Sequence, residues 1–299
     1  MTIPPMQLCA ITDEISQDFE YSLDVLREYG ATGAELRGLW GTNISALTDE
    51  QASRAEAALK ARRMRVACLA TPFYKCDLTP DAPGDGPLEK MLHLAQEKTL
   101  EEQIDLLKRC IALAKRFETD LIRVFTFWRK DVLSPQIEDR IVAAYQEPVA
   151  MAEREGVILA LENEHACFVG TGVEAARIVQ KIDSPWLRIC WDPGNALCAG
   201  ERPYPDGYEA VRSSLAHIHI KDARAAGGSD DGDYQWCVVG EGDIDYKGHF
   251  DALKRDGYTG YISLETHYKP ERGSGPDGVG TGEDGSRPCL AALRTLMAL

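Results

Sequence analysis

Four short apolar runs each end in a side chain able to hold a proton or a cation. Leu159-Ala-Leu-Glu162 ends in a carboxylate, with Asn163, Glu164 and His165 behind it. Arg188-Ile-Cys-Trp-Asp192 ends in an aspartate, and Ala216-His-Ile-His219 in an imidazole followed by Ile220, Lys221 and Asp222. Tyr261-Ile-Ser-Leu-Glu265 ends in a glutamate two residues before His267. Runs of this kind read as buried strands. A buried charge at a strand end needs a partner or a metal, since in isolation it costs several kcal/mol or more. One such residue alone reads as a salt-bridged strand terminus; four on successive strands read as one site. Three carboxylates and one imidazole are a hard, oxygen-rich donor set, which suits Mn²⁺, Mg²⁺ or Co²⁺ better than a thiolate-preferring metal.

His217, His219 and Lys221 share a strand face by alternation. His219 is level with the three acids. His217 sits one layer deeper, where it would orient or pack. Lys221 sits one layer nearer the strand end, where it would meet a substrate oxygen or pair with Asp222. Phe73, Tyr74, Phe127, Trp128 and Tyr268 fall near strand ends and are candidates for stacking on a sugar, or for core packing.

The elements that must position these groups alternate regularly. Strands are expected at Gln7–Thr12, Gly33–Arg37, Met64–Ala70 and Asp120–Thr126, before the four runs above. Helices are expected from about Asp18 to Tyr29, from a capping box at Thr48–Gln51 to Arg63, and from about Leu88 to Phe117. Ser134-Pro135 opens another as N-cap and N1, running to Glu155. Others cover about Val173–Ile182, Tyr208–Ser214 and Tyr246–Asp256, and a last one ends the chain. Trp236–Val239 reads as a short extra strand. The stretches Ala223–Asp233 and Pro270–Pro288 read as loops forming a mobile rim. Eight βα units predict a parallel sheet closed into a (β/α)8 TIM barrel, one α/β domain over residues 1–299. An open doubly wound sheet would want a Gly-rich turn after the first strand, and Thr12-Asp-Glu-Ile is not one.

The formal net charge of −15 argues against binding a nucleic-acid backbone, which needs clustered Lys and Arg. No apolar run approaches the roughly 18 residues of a membrane span. Nine cysteines without a CxxC pair read as reduced thiols of a cytoplasmic protein. Whether the chain forms a homo-oligomer is left open.

Leu161-Glu-Asn163, Trp191-Asp-Pro-Gly-Asn195, His217-Ile-His-Ile-Lys-Asp222, Gly240-Glu-Gly-Asp-Ile-Asp245 and Gly257-Tyr-Thr-Gly-Tyr-Ile-Ser-Leu-Glu265 together resemble the xylose-isomerase-like TIM barrel family of sugar phosphate isomerases and epimerases. The resemblance implies that Glu162, Asp192, His219 and Glu265 bind one divalent ion, with Mn²⁺ first. It also implies that Glu162 and Glu265 move protons, through an enediolate, on a ketose or keto-sugar. Loss of a β-substituent from the same enediolate would instead make the chain a lyase of the inosose dehydratase or 3-keto-glycoside eliminase type. The chain departs from the ketose 3-epimerases at Asn195, where they carry a second histidine, and at Lys221-Asp222, where they carry Gly-Glu. His165 follows Glu162 as in family members with a Glu-Asn-x-His pattern. His165, Asn195, Lys221 and Trp128 are therefore the expected contacts to a small sugar or polyol. The loops after strands seven and eight are acidic, which favours an unphosphorylated one.

Overall fold

Alternating apolar and amphipathic stretches build a ring of eight parallel strands jacketed by helices. The structure, a computed structural model, describes residues 6–78, 99–225 and 234–298. The strands are β1 (Gln7–Ala10), β2 (Gly33–Leu36), β3 (Arg65–Ala70), β4 (Leu121–Val124), β5 (Ile158–Glu162), β6 (Leu187–Trp191), β7 (Leu215–Ile220) and β8 (Tyr261–Leu264). They follow the order β1-β8-β7-β6-β5-β4-β3-β2, each parallel to its neighbours. A parallel bridge from Ile11 to Glu35 brings β2 against β1, so the ring is nearly closed. Beside short helical turns at Thr12–Ile15 and Tyr208–Val211, the helices are α1 (Phe19–Glu28), α2 (Asp49–Arg62), α3 (Leu100–Arg116), α4 (Pro135–Glu155), α5 (Gly172–Ile182), α6 (Pro193–Cys198), α7 (Tyr246–Arg255) and α8 (Gly282–Ala298). No helix among the described residues is long and apolar enough to cross a membrane.

Strand alternation divides the core in two. Leu159, Leu161, Ile189, Trp191, Ile218, Ile220, Ile262 and Leu264 join one apolar cluster with helix residues such as Leu107, Ile141 and Phe250. The alternate residues face into the ring and are far more polar: Glu35, Arg123, Glu162, His217, His219 and Ser263, with Cys9 and Cys190, all buried. Barrel interiors are usually filled by branched aliphatic side chains. Here the interior is a hydrogen-bonded network, affordable only because its charges are paired. None of the nine cysteines is in a disulfide.

Capping chemistry sets most helix ends where the sequence placed them. Thr48 and Gln51 cap each other at the start of α2, and Ser134 Oγ accepts from the Ile137 amide ahead of Pro135. Three expectations need correction. The helix expected from Leu88 is described from its cap, Thr99, through Arg116; residues 88–98 lie outside the described residues. The stretch expected as a loop from Ala223 begins in a strand, because Asp222–Ala225 pairs antiparallel with Tyr234–Cys237; residues 226–233 lie outside the described residues. The loop expected up to Pro288 already turns helical at Gly282. Thr281 Oγ1 accepts from the Asp284 amide while Asp284 Oδ2 accepts from the Thr281 amide, a reciprocal cap that starts α8 six residues before that proline. A small hairpin, Gly38–Leu39 with Thr42–Asn43, and the short helix α6 were not expected.

Candidate functional site

Glu162, Asp192, His219 and Glu265 stand at the C-terminal ends of β5 to β8, and one ligand atom from each lies within 4.8 Å of the others. All four are buried. Glu162 Oε1 lies 3.0 Å from His219 Nδ1, and Glu265 Oε2 lies 4.0 Å from the same nitrogen. The Asp192 backbone is held from both sides by the Asn163 side chain, whose amide donates to the Asp192 carbonyl at 2.8 Å and whose oxygen accepts from the Asp192 N–H at 2.9 Å. Asp192 Oδ1 then accepts from the Asn195 amide at 2.8 Å and caps α6. The Trp-Asp-Pro-Gly-Asn motif is thus a strand end fused to a helix start, with Pro193 at N1, where its missing N–H costs nothing.

Glu35 is the principal residue that sequence reasoning missed. Its Oε1 pairs with His219 Nε2 at 3.0 Å and its Oε2 with His217 Nε2 at 2.9 Å, while Ser263 Oγ donates to Oε2 at 2.5 Å. Burial alone would raise this carboxyl; His219 and His217 instead hold it well below the usual carboxylate range. A carboxylate on the far nitrogen of a ligating histidine fixes the ring and its tautomer, leaving Nδ1 facing the other three donors. The available signal was parity: Glu35 and Arg37 alternate with Ala34 and Leu36 along β2, which puts both charges on the inner face.

Three cations stand against the carboxylates. Arg123 on β4 lies 3.3 Å from Glu162 Oε2, and Arg37 lies 3.7 Å from Glu265 Oε1 while holding Asp13 and Glu14 at 3.1 and 3.0 Å. Burial pushes the Glu14 carboxyl up to about 8 against the pull of Arg37. Lys221 ion-pairs with Asp192 Oδ2 at 2.8 Å and with Glu265 Oε2. It is neither exposed nor paired with Asp222, the alternative read from the sequence. Asp222 instead accepts from the amides of Ala223, Gly240 and Gly242 and folds the segment after the hairpin. Burial lifts the Asp192 carboxyl to about 7 although Lys221 opposes it. At Glu265 burial is outweighed by Lys221 and the His267 and His219 imidazoles, and the carboxyl lies well below its ordinary range.

The other expected contacts divide. His165, with 43% of its side chain exposed, has Nδ1 3.1 Å from Asn195 Oδ1 and 3.0 Å from Glu164 Oε1. Asn195 Nδ2 reaches Glu162 Oε1 at 3.4 Å, so Asn195 is one hydrogen bond from the cluster and His165, through Asn195, two. Trp128 is half-buried beside Lys75, whose Nζ lies 5.5 Å from its ring centre and 3.1 Å from Glu164. Phe73, Tyr74 and Phe127 do not reach the mouth. They are buried and pack on one another, Phe73 on Tyr74 at 3.9 Å and Tyr74 on Phe127 at 4.4 Å, and Tyr74 turns under α4, donating to the Ala144 carbonyl.

The donor set accepts a divalent cation on two grounds. Its atoms are hard oxygens plus one neutral-capable nitrogen. Glu162 Oε2 and Asp192 Oδ2 are buried without an aligned hydrogen bond, although Arg123 and Lys221 stand near them.

The family described as xylose isomerase-like TIM barrel matches residues 23–292 of this chain. A 3-oxo-isoapionate decarboxylase from Pectobacterium atrosepticum is 29% identical over 58% of the chain and 64% of its own length. An L-ribulose-5-phosphate 3-epimerase, UlaE, from Salmonella paratyphi A is 28% identical over 51% of the chain and 53% of its own length. The matches thus span about half to under two thirds of these relatives. A crystal structure of a xylose isomerase domain protein from Planctomyces limnophilus superimposes with a TM-score of 0.70 over 99% of this chain and 98% of that one, at 17% identity.

Proposed function

The chain belongs to the xylose isomerase-like TIM barrel family, and from that premise we propose that it is a divalent-metal-dependent isomerase or epimerase of a ketose or keto-sugar. The observation that carries this reading is the convergence of Glu162, Asp192, His219 and Glu265 within 4.8 Å at one end of the ring. These four residues would hold the ion, with Mn²⁺ the first choice for the donor set. When bound, the ion supplies Lewis-acid stabilisation of negative charge that develops on substrate oxygens.

The chain's own residues account for the proton traffic. Glu162 and Glu265 reach the cluster from β5 and β8, on different sides of His219 Nδ1. One removes the proton beside the carbonyl and the other returns it, to the neighbouring carbon for isomerisation or to the opposite face for epimerisation. Arg123 and Arg37 supply positive charge behind the two carboxylates. Glu35 and Asn163 keep His219 and Asp192 from turning away. His165, Asn195 and Trp128 are the proposed sugar contacts at the rim. An unphosphorylated substrate is favoured by Asp284, whose Oδ2 takes the amides and hydroxyls of both Ser274 and Thr281. Those donors, in the loop after β8 where many barrels bind phosphate, are already spent on a carboxylate.

The decarboxylase relative favours a second reading, a lyase working through the same enediolate. The test is a screen of free and phosphorylated ketoses and keto-acids with Mn²⁺ in deuterated water. Deuterium entering the α-carbon of a ketose is the expected result. Release of carbon dioxide or of an unsaturated product identifies the lyase. In Glu265→Gln saturated with Mn²⁺, exchange should fall by about two to four decades; near-wild-type exchange removes Glu265 from proton transfer.

A further inference from the structure

The Lys221 ammonium stands where a bound cation would need room. It pairs with Asp192 Oδ2 at 2.8 Å and with Glu265 Oε2, two atoms of the four-residue donor set, and only 2% of its side chain is exposed. A hard divalent ion sits about 2.0–2.2 Å from its oxygen ligands. An ammonium kept on the same two oxygens would then face that ion across a few ångströms of buried space, where charge repulsion is weakly screened. Both cations cannot hold both oxygens.

The inward pose of this lysine is also built into the backbone. A Cβ at Gly194 would lie 2.5 Å from Lys221 Cγ and 3.1 Å from the Lys221 carbonyl oxygen. The glycine of the Asp-Pro-Gly-Asn turn is therefore a notch that seats the lysine stem. Nζ lies 5.7 Å from the ring centre of Trp236, on the hairpin that follows β7.

Resting on the metal-centre reading above, we propose that Lys221 is a displaceable counter-cation: it neutralises Asp192 and Glu265 in the metal-free chain and withdraws toward Trp236 when a divalent ion takes those oxygens. The physical need is plain. Without the ion, Lys221 is the ion-pair partner of Asp192 and shares Glu265 with Arg37, and removing one partner of a buried pair is strongly destabilising. With the ion, the lysine's positive charge is released at the side where a substrate oxygen arrives.

Three measurements test this on the full chain. Mn²⁺ is titrated calorimetrically into wild type, Lys221→Met and Gly194→Ala; each is melted with and without Mn²⁺; and the acetylation rate of Lys221 is followed by mass spectrometry in the wild type. Lys221→Met should bind Mn²⁺ about tenfold or more tightly than wild type, a gain of about 1.4 kcal/mol. It should melt lower when metal-free and recover with Mn²⁺. Gly194→Ala keeps the charge but denies the stem its notch, and should also bind more tightly. In the wild type, Mn²⁺ should speed acetylation of Lys221. Equal Mn²⁺ affinities with unchanged labelling overturn the counter-cation role and leave the metal centre standing. Absence of Mn²⁺ uptake by all three chains overturns both. The labelling arm uses only wild type, so it decides even if a variant does not fold.

Discussion

Two buried histidine nests in this molecule resolve the same problem in opposite ways. Inside the ring, His217 and His219 share the Glu35 carboxylate, with Ser263 as a further donor. Outside it, His249 on α7 is buried among Tyr204, Tyr208, Tyr246 and Phe250, with the Tyr208 ring centre 5.0 Å away and no hydrogen-bond partner for Nε2 among the described residues. Burial disfavours the charged imidazole in both places. At His219 the neighbouring Cys190, Glu35 and Glu162 overcome that penalty and carry the imidazole well above its ordinary range. At His249 nothing opposes burial, and the ring is pushed down to about 3. What separates His219 from His249 is the set of polar neighbours around the ring, since both are buried. The end of the barrel that carries the candidate site is where such carboxylates are concentrated.

The contrast can be broken most severely at Glu35. Glu35→Gln leaves two imidazoles and a hydroxyl facing a neutral amide, and stability should fall by about 3–5 kcal/mol, the cost of breaking a buried pair. Urea unfolding with an unchanged m-value checks it; a loss below 1 kcal/mol would show that the barrel nest is not held by charge. Ser263→Ala removes one hydrogen bond to the same charged group and should cost about 1.5–3 kcal/mol by the same assay.

The outer nest should reveal itself through pH. The folded His249 imidazole binds its proton near 3 and the unfolded one near 6.5. Between those values the unfolded chain binds more protons, so stability from this residue is full above about 6.5 and is lost as pH falls. From pH 7 to pH 5 the loss should be about 2 kcal/mol. His249→Gln should remove that increment, measured as the difference in urea midpoint between the two pH values. An identical acid limb in wild type and variant would place the charge elsewhere. The smallest effect is expected at Tyr208→Phe, which deletes a part-buried hydroxyl bond to Asp256 at 3.0 Å and leaves the ring in place. About 1 kcal/mol or less should be lost, visible as a small shift in the melting temperature.

The metal-competent end of the barrel was legible because period-two alternation and strand ends are local properties. Glu162, Asp192, His219 and Glu265 each close an apolar run, so parity alone put them at one level. Glu35, Arg37 and Arg123 were not found because their significance is non-local. Glu35 is 182 and 184 residues from the imidazoles it holds, and no spacing rule connects them. Of the two readings of Lys221, the exposed lysine paired with Asp222 is the one the structure overturns. The lysine stem fills the space over Gly194, and its ammonium turns to Asp192 and Glu265 rather than to its neighbour Asp222. Phe73, Tyr74 and Phe127 took the packing alternative for a related reason, since an aromatic near a strand end can turn into the core as readily as over a mouth.

By itself the sequence determined the alternation of strands and helices, the caps at Thr48 and Ser134, and the level at which four ligand-type residues emerge. These follow from hydrophobic period, backbone capping and parity, which act over a few residues. Tertiary structure alone decided the charge partners: which arginine stands behind which glutamate, which carboxylate holds both imidazoles, and which cation occupies the oxygens of Asp192 and Glu265. Those choices depend on distances across a ring whose members lie far apart in the chain, and electrostatic energy depends on distance in space rather than on separation in sequence.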